Sequence, residues 1–226
     1  TWQGGRTWHL DRISSGELQR GVKAAGDFLK AYPDHRHSVE AAWRIAEAYR
    51  MHGRADDAIA AFETFAAGEN YDLPQGEKAT EIISRLGQSA TELEDEWQKR
   101  AVLYIGQLRY AQKKYPQAIE AFERYVARFP NGPDWATAQR SIIDAQFMIA
   151  LEAVAAKEYD KAGELFEQFL TDHPLDGRAP QVLFIRGQMH FADAERRQED
   201  AKEGAPLDDA TKQSYRNAIA EWEKLV

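Results

Sequence analysis

Four times along this chain a small residue is followed four positions later by an aromatic ring, and three after that by another large apolar residue. The copies are Ala58-Phe62-Phe65, Ala118-Phe122-Tyr125, Ala162-Phe166-Phe169 and Ala218-Trp222-Leu225. Steps of four and three place all three side chains on one face of a helix. Tyr115, Tyr159 and Tyr215 stand three residues before the alanine in three copies, and Pro130 and Pro174 close two of them. A second apolar stripe precedes each of the first three copies: Ala42, Ile45, Ala46 and Tyr49; Val102, Ile105 and Gly106; Ile149, Ala150 and Ala153. Short polar turns separate stripe from ring helix: His52-Gly53-Arg54, Gln112-Lys113-Lys114 and Lys157-Glu158. The pattern predicts antiparallel helix pairs in which Ala46, Gly106 and Ala150 make room for the rings of Phe62, Phe122 and Phe166. A single pair leaves an apolar face open, so the pairs must stack on one another.

The punctuation agrees with helices. Proline and glycine gather at Tyr32-Pro33-Asp34, Phe129-Pro130-Asn131-Gly132-Pro133 and His173-Pro174-Leu175-Asp176-Gly177, each a helix stop followed by a new start. Ser38 and Asp134 are expected N-caps. β-Branched runs are missing, while helix formers fill the chain.

Repeat length is irregular: the key alanines lie 60, 44 and 56 residues apart. The first gap holds Glu77–Arg100, read either as an extended first helix or as an extra helix broken near Gly87. The second implies a long helix from Asp134 to Ala156, about 33 Å at 1.5 Å per residue. The third contains charged sequence with Gly204 and Pro206, expected to be an exposed insertion at 192–213. Residues 1–14, with Trp2 and Trp8, form a non-repetitive leader, either anchored on the first repeat or loose. The stack itself is expected over 15–226, as about four helix pairs with a truncated last repeat and an opening half unit at Ser15–Tyr32 that carries Gly21, Ala25 and Phe28.

Composition narrows the function classes. The 226 residues carry a net charge of −8, and no block of basic residues offers a nucleic-acid footprint. Cysteine is absent, which excludes disulfides and thiolate metal sites and fits an extracytoplasmic compartment. The longest apolar stretch, around Phe147–Ala156, falls short of the ~20 residues of a membrane span. The chain opens at Thr1 and stops at Val226 inside a helical pattern, so it is expected to be a segment of a larger protein.

The stretch Ile105-Gly106-Gln107-Leu108-Arg109-Tyr110, continued by Tyr115-Pro116-Gln117-Ala118-Ile119-Glu120-Ala121-Phe122 and closed by Pro130, resembles the tetratricopeptide repeat family. The resemblance covers Leu18 to Val226. It implies an all-α, right-handed α-solenoid, no catalysis, no cofactor and no metal, and a protein or peptide partner or other domains of the same parent chain. The Phe-Pro and His-Pro closures resemble repeats of bacterial periplasmic and cell-envelope assembly proteins, which favours that localisation. The tail Tyr215–Val226 is similar to segments that precede an α2-macroglobulin-like body in very large bacterial proteins. The last repeat departs from the pattern, with Arg186 at an apolar position beside Gly187 and His190 at a tyrosine position.

In this family the residues at −6, −3, +1 and +4 from the small residue line the concave groove. Here they are Glu40, Trp43, Glu47 and Arg50; Arg100, Leu103, Gln107 and Tyr110; Asp144, Phe147, Leu151 and Val154; and Gln181, Phe184, Gln188 and Phe191. Large apolar residues at every −3 place predict a groove for a peptide with apolar anchors, unless the chain's own helices cover them. The expected groove set is Trp43, Glu47, Arg50, Arg100, Leu103, Gln107, Tyr110, Phe184 and Gln188. A clamp for a terminal carboxylate would need lysine and asparagine where Trp43, Glu47, Leu103 and Gln107 stand.

Two other readings compete with a binding scaffold. One is an architectural spacer or self-association module with no peptide groove. The other is a metal-dependent hydrolase built on His35, His37 and Glu40, whose spacing admits zinc with an open position. Arginine between the histidines and a polar turn around them favour a solvated loop. No serine, histidine and aspartate arrangement suggests a nucleophile, and Gly4-Gly5 lacks the context of a phosphate loop.

Overall fold

The computed structural model describes residues 14–73, 76, 89–200 and 206–225. These residues form helices and their connections, with no strand among them. Of the expected leader at 1–14 only Ser14, the N-cap of the first helix, is among the described residues, and the break considered near Gly87 lies outside them.

The chain divides into two compact units, Thr1–Ile142 and Ile143–Val226. In the first, α1 (Ser15–Ala31) packs on α2 (Ser38–Met51), which pairs with α3 (Ala55–Ala67). Helix α4 (Ala90–Ala111) packs on α3 and pairs with α5 (Tyr115–Arg128). Helix α6 (Trp135–Ala155) carries the division within its length. The second unit continues with α7 (Tyr159–Asp172), α8 (Ala179–Glu199) and α9 (Asp209–Glu223), the last two tightly paired.

Local chemistry sets the helix ends. Ser14 and Ser89 each close a capping box, accepting from the N–H of Glu17 and Glu92 while those carboxylates accept from the serine N–H. Asp208 caps α9 by accepting from Thr211 N–H at 2.6 Å. Asp134 precedes Trp135 as expected, and its carbonyl accepts from Ala138. Ser38 is not a cap. It is the first residue of α2, fully buried, and its hydroxyl donates to the Asp72 carbonyl at 3.1 Å, tying α2 to the segment after α3.

The three pair turns share one geometry. Gly53, Lys113 and Lys157 all take positive φ (68°, 59° and 60°). Each donates its N–H three residues back, and the next residue donates five back. One left-handed residue is therefore built into each of these three pairs, and only the first meets it with glycine. The lysines carry the Cβ strain of that region, about 1–2 kcal/mol, partly offset by glycine's greater entropy loss on folding. Lys113→Gly should therefore raise stability by about 0.5–1 kcal/mol, read from chemical denaturation; a loss of stability would contradict the shared-turn account.

The rings sit where the pattern placed them. Phe62 is buried with Ala46 and Ala58, Phe122 with Ala118 and Val102, and Phe166 with Ala150 and Ala162. A Cβ built on Gly106 would lie 2.5 Å from the Phe122 ring, and one on Gly187 would lie 2.1 Å from the Trp222 indole nitrogen. The last repeat thus keeps the register of the others, and the all-α helix-pair stack holds in each unit. The segment 192–213 is corrected: it is helical to Glu199 and again from Asp209, with Ala194 and Thr211 buried. Most of its described residues are exposed, as expected of an insertion, while Ala194 and Thr211 pack inward. Among the described residues no helix is long and apolar enough to cross a membrane.

Candidate functional site

The residues expected to line a groove separate into two sets. Trp43 and Leu103 are core, a correction to the groove reading, and Phe147, outside the expected groove set, is core as well. Trp43 stacks on Trp97 of α4 (5.6 Å, 18°) and lies against Tyr104, Phe62 and Phe65. Leu103 packs with Phe122, Ala138 and Ile142. Phe147 packs with Phe166 and Phe169. For Trp43 the cause is helix length: α4 has 22 residues, and its N-terminal turns carry Trp97 over the preceding pair. Trp97 and Tyr104 were not singled out in the sequence, although their spacing with Ala101, Ile105 and Leu108 is a legible helical stripe.

The polar members stay accessible. Arg50 donates to Glu47 at 2.9 Å, and its guanidinium lies 4.6 Å over the Tyr104 ring. The hydrogen bond to Glu47 raises the Arg50 pKa. Arg100 pairs with Glu96 at 2.6 Å, Gln107 is exposed, and Tyr110 is half-buried edge-on to Tyr115. Glu47 and Arg50 share α2, while Arg100, Gln107 and Tyr110 run along α4. On α8 of the second unit Phe184 and Gln188 are exposed one turn apart.

Two ion clusters escaped the sequence pattern. Arg178 grips Asp176 with two guanidinium nitrogens at 2.8 Å, reaches Asp144 at 2.8 Å, and lies 5.2 and 5.4 Å over the Phe147 and Phe169 rings. The hydrogen bond from Arg178 holds the Asp176 carboxyl at about 2, against an ordinary 3.8. Burial alone would raise Asp193, but hydrogen bonds from Arg197, Arg196 and Ser214 outweigh it and bring this carboxyl also to about 2. A depressed folded-state pKa stabilises above the unfolded value and is lost as pH falls through the folded value. The melting temperature should therefore fall as pH drops from about 4 towards 2, with a shallower fall in Asp176→Asn.

Arg186, the polar residue at an apolar family position, explains itself. It binds the buried Glu221 at 2.9 Å and also pairs with Glu167, joining α7, α8 and α9. Arg186→Met should destabilise by about 2 kcal/mol, less than the ~3–5 expected for a fully stranded buried charge because Lys224 also pairs with Glu221. Equal stability by urea titration would show that Arg186 is only a surface charge.

A cleft of about 700 Å³ opens between α7 and α8, lined by Tyr159, Glu164, Arg186, His190, Asp193 and Arg197 among others. Its lining carries cationic Lys157, Arg186, Arg196 and Arg197 against anionic Asp160, Glu164, Asp193 and Glu199, which sum to no formal net charge. At the α1–α2 turn, His37 N–H donates to His35 Nδ1 at 3.2 Å, Arg36 donates to His37 Nε2, and Glu40 lies 3.5 Å from His37 Nδ1. Both ring nitrogens of His37 and Nδ1 of His35 are thus engaged in turn contacts. Among the described residues no three His, Asp or Glu side chains converge as metal ligands.

Known proteins agree with the helix-pair architecture. A tetratricopeptide repeat model matches residues 10–72, and the model described as outer membrane lipoprotein, YfiO, matches residues 95–226. No curated protein matches the chain. Among solved structures, MamA is 18% identical, with 92% of this chain and 91% of that one covered and a TM-score of 0.30. A Podosopora anserina kinesin light chain with nearly identical TPR-like repeats is 15% identical, with 92% and 89% covered and a TM-score of 0.31. Nothing among these matches supports the α2-macroglobulin-like parent expected from the tail. With helices paired as tetratricopeptide repeats and the YfiO model spanning more than half of its length, the chain belongs to the outer membrane lipoprotein family YfiO.

Proposed function

We propose that this protein is a non-catalytic scaffold that holds other proteins at the bacterial cell envelope. The observation that carries the reading is a stack of helix pairs whose last pair leaves Phe184, Phe191, Ile219 and Leu225 in solvent. Apolar surface of that kind in a water-facing protein marks an interaction site. Helix pairs of this kind generally mediate protein–protein contact, and the family's description supports the envelope. The polar stripe of Glu47, Arg50, Gln107 and Tyr110 supplies a second, hydrogen-bonding surface.

Photo-crosslinkers placed at Gln107 and Gln188 of the chain expressed in its own cells test this. Discrete protein adducts in the envelope fraction are expected. Adducts absent from both positions, or a chain confined to the cytoplasm, would overturn the reading. The architectural alternative draws on the burial of Trp43, Leu103 and Phe147, which removes the apolar floor of a groove. It predicts adducts only with copies of the same chain.

A further inference from the structure

The second helices of the first unit can be compared place by place, counting from the small residue of each: Gly21 on α1, Ala58 on α3 and Ala118 on α5. Between α3 and α5 the gap is bridged by guanidinium groups. Arg124 of α5 pairs with Glu63 at 2.9 Å, Arg109 of α4 reaches the same carboxylate at 3.3 Å, and Arg128 of α5 donates to the Ala66 carbonyl at 3.3 Å. The gap between α1 and α3 holds none of these groups. At its equivalent places Gly26 stands for Glu63, Leu29 for Ala66, Thr64 for Arg124 and Gly68 for Arg128. The Thr64 hydroxyl turns back to the Ala60 carbonyl at 3.0 Å. A Cβ on Gly26 would meet nothing within 4 Å. Gly68 ends α3 with a φ of 69°, where any side chain would be strained.

What remains is a cavity of about 470 Å³ beside the two glycines. Buried Leu29 and Tyr71, with half-buried Ile45, line its apolar side, and exposed Lys30, Glu69 and Asp72 line its polar side. Asp72 is fixed by its backbone, whose N–H donates to the Pro33 carbonyl at 2.8 Å and whose carbonyl accepts from Ser38. Among the described residues neither Glu69 nor Asp72 has a cation on its carboxylate, and two anions face one lysine. The C-terminal end of α1 adds the negative end of a helix dipole.

We infer that this cavity is a binding site for an arginine side chain of a partner protein, whose guanidinium takes the place that Arg124 and Arg128 hold in the next gap. The methylene stem lies along Leu29, Ile45 and Tyr71. The guanidinium faces Glu69 and Asp72, since a planar fork of several donors suits a pair of carboxylates better than an ammonium does. No described arginine of this chain lines the cavity. Its opening is set by Gly26 and Gly68, inside the unit, and not by either end of the sequence. The inference rests on the scaffold reading for the source of the arginine and adds the partner's chemistry.

The test titrates N-acetyl-arginine amide into the full ¹⁵N-labelled chain and follows amide shifts by NMR. Saturable shifts are expected at Gly26, Gly68, Glu69 and Asn70, with N-acetyl-citrulline amide, similar in shape but uncharged, binding about threefold more weakly. Glu69→Gln with Asp72→Asn should erase that preference. Both side chains are exposed, and an unchanged circular dichroism melt verifies the fold. Gly26→Arg should abolish binding by filling the cavity from α1. Shifts that do not saturate, or equal binding of citrulline, overturn the proposal. Binding that emerges only after Arg6→Ala and Arg12→Ala assigns the cavity to the chain's own arginines and overturns the partner. In cells, a photo-crosslinker at Lys30 should capture a partner peptide that carries an arginine, and Gly26→Arg should remove that adduct. If no Lys30 adduct forms while those at Gln107 and Gln188 persist, the scaffold reading stands and this site alone fails.

Discussion

Replacing Phe122 by alanine should destabilise the first unit by about 3–5 kcal/mol. The ring is buried among Val102, Leu103, Ala118, Tyr125, Ala138 and Ile142, residues drawn from three helices. None can collapse into the space without breaking its own helix contacts, so the lost transfer energy and the cavity add together. Against a typical total stability of about 5–15 kcal/mol that is a large share. Because stacked pairs touch mainly their neighbours, the loss should be local first. Amide exchange should rise across α4 and α5 well before α1 and α2. A urea titration showing less than about 1 kcal/mol would mean that the ring is not the centre of the pair.

The complementary change fills the same space from the other side. Gly106→Leu should destabilise by about 1–3 kcal/mol or more. Even a single Cβ there meets three atoms of the Phe122 ring at 2.5–2.9 Å, closer than real carbon atoms approach. Two effects oppose each other in Gly106→Ala: helix propensity favours alanine by about 1 kcal/mol, and overpacking disfavours it by about 1–3. Sterics should win, because the ring is walled in by Tyr125 and Leu103 and has nowhere to turn. Alanine should thus be mildly destabilising and leucine severely so. The same ring contact suggests a double test: Phe122→Leu combined with Gly106→Ala should cost less than the two single changes summed. Stabilisation by Gly106→Ala alone, read by thermal melt, would place the two helices further apart than this structure has them.

The groove expectation shows how a correct register can carry a wrong assignment. Positions −3 from the small residue were rightly identified, and all four hold large apolar side chains. Their fate depends on what stacks next. The helices that pack on them bury three of the four, while Phe184 is 48% exposed. Of the expected groove residues, the apolar Trp43 and Leu103 are thereby withdrawn from solvent, while the polar Glu47, Arg50, Gln107 and Tyr110 stay accessible.

The sequence by itself determined the helix pairs, their order and the ring-into-gap contact, because each depends on residues three or four apart on a helix or on a turn of two or three residues. It also showed where the pairs end, through Pro33, Pro130 and Pro174. Tertiary structure alone decided which faces are covered, since that turns on how far α4 and α6 overhang the preceding pair. It likewise decided the Arg178–Asp176–Asp144 and Arg186–Glu221 clusters. Long cationic side chains bridge residues up to 35 positions apart, a distance at which helical period carries no information.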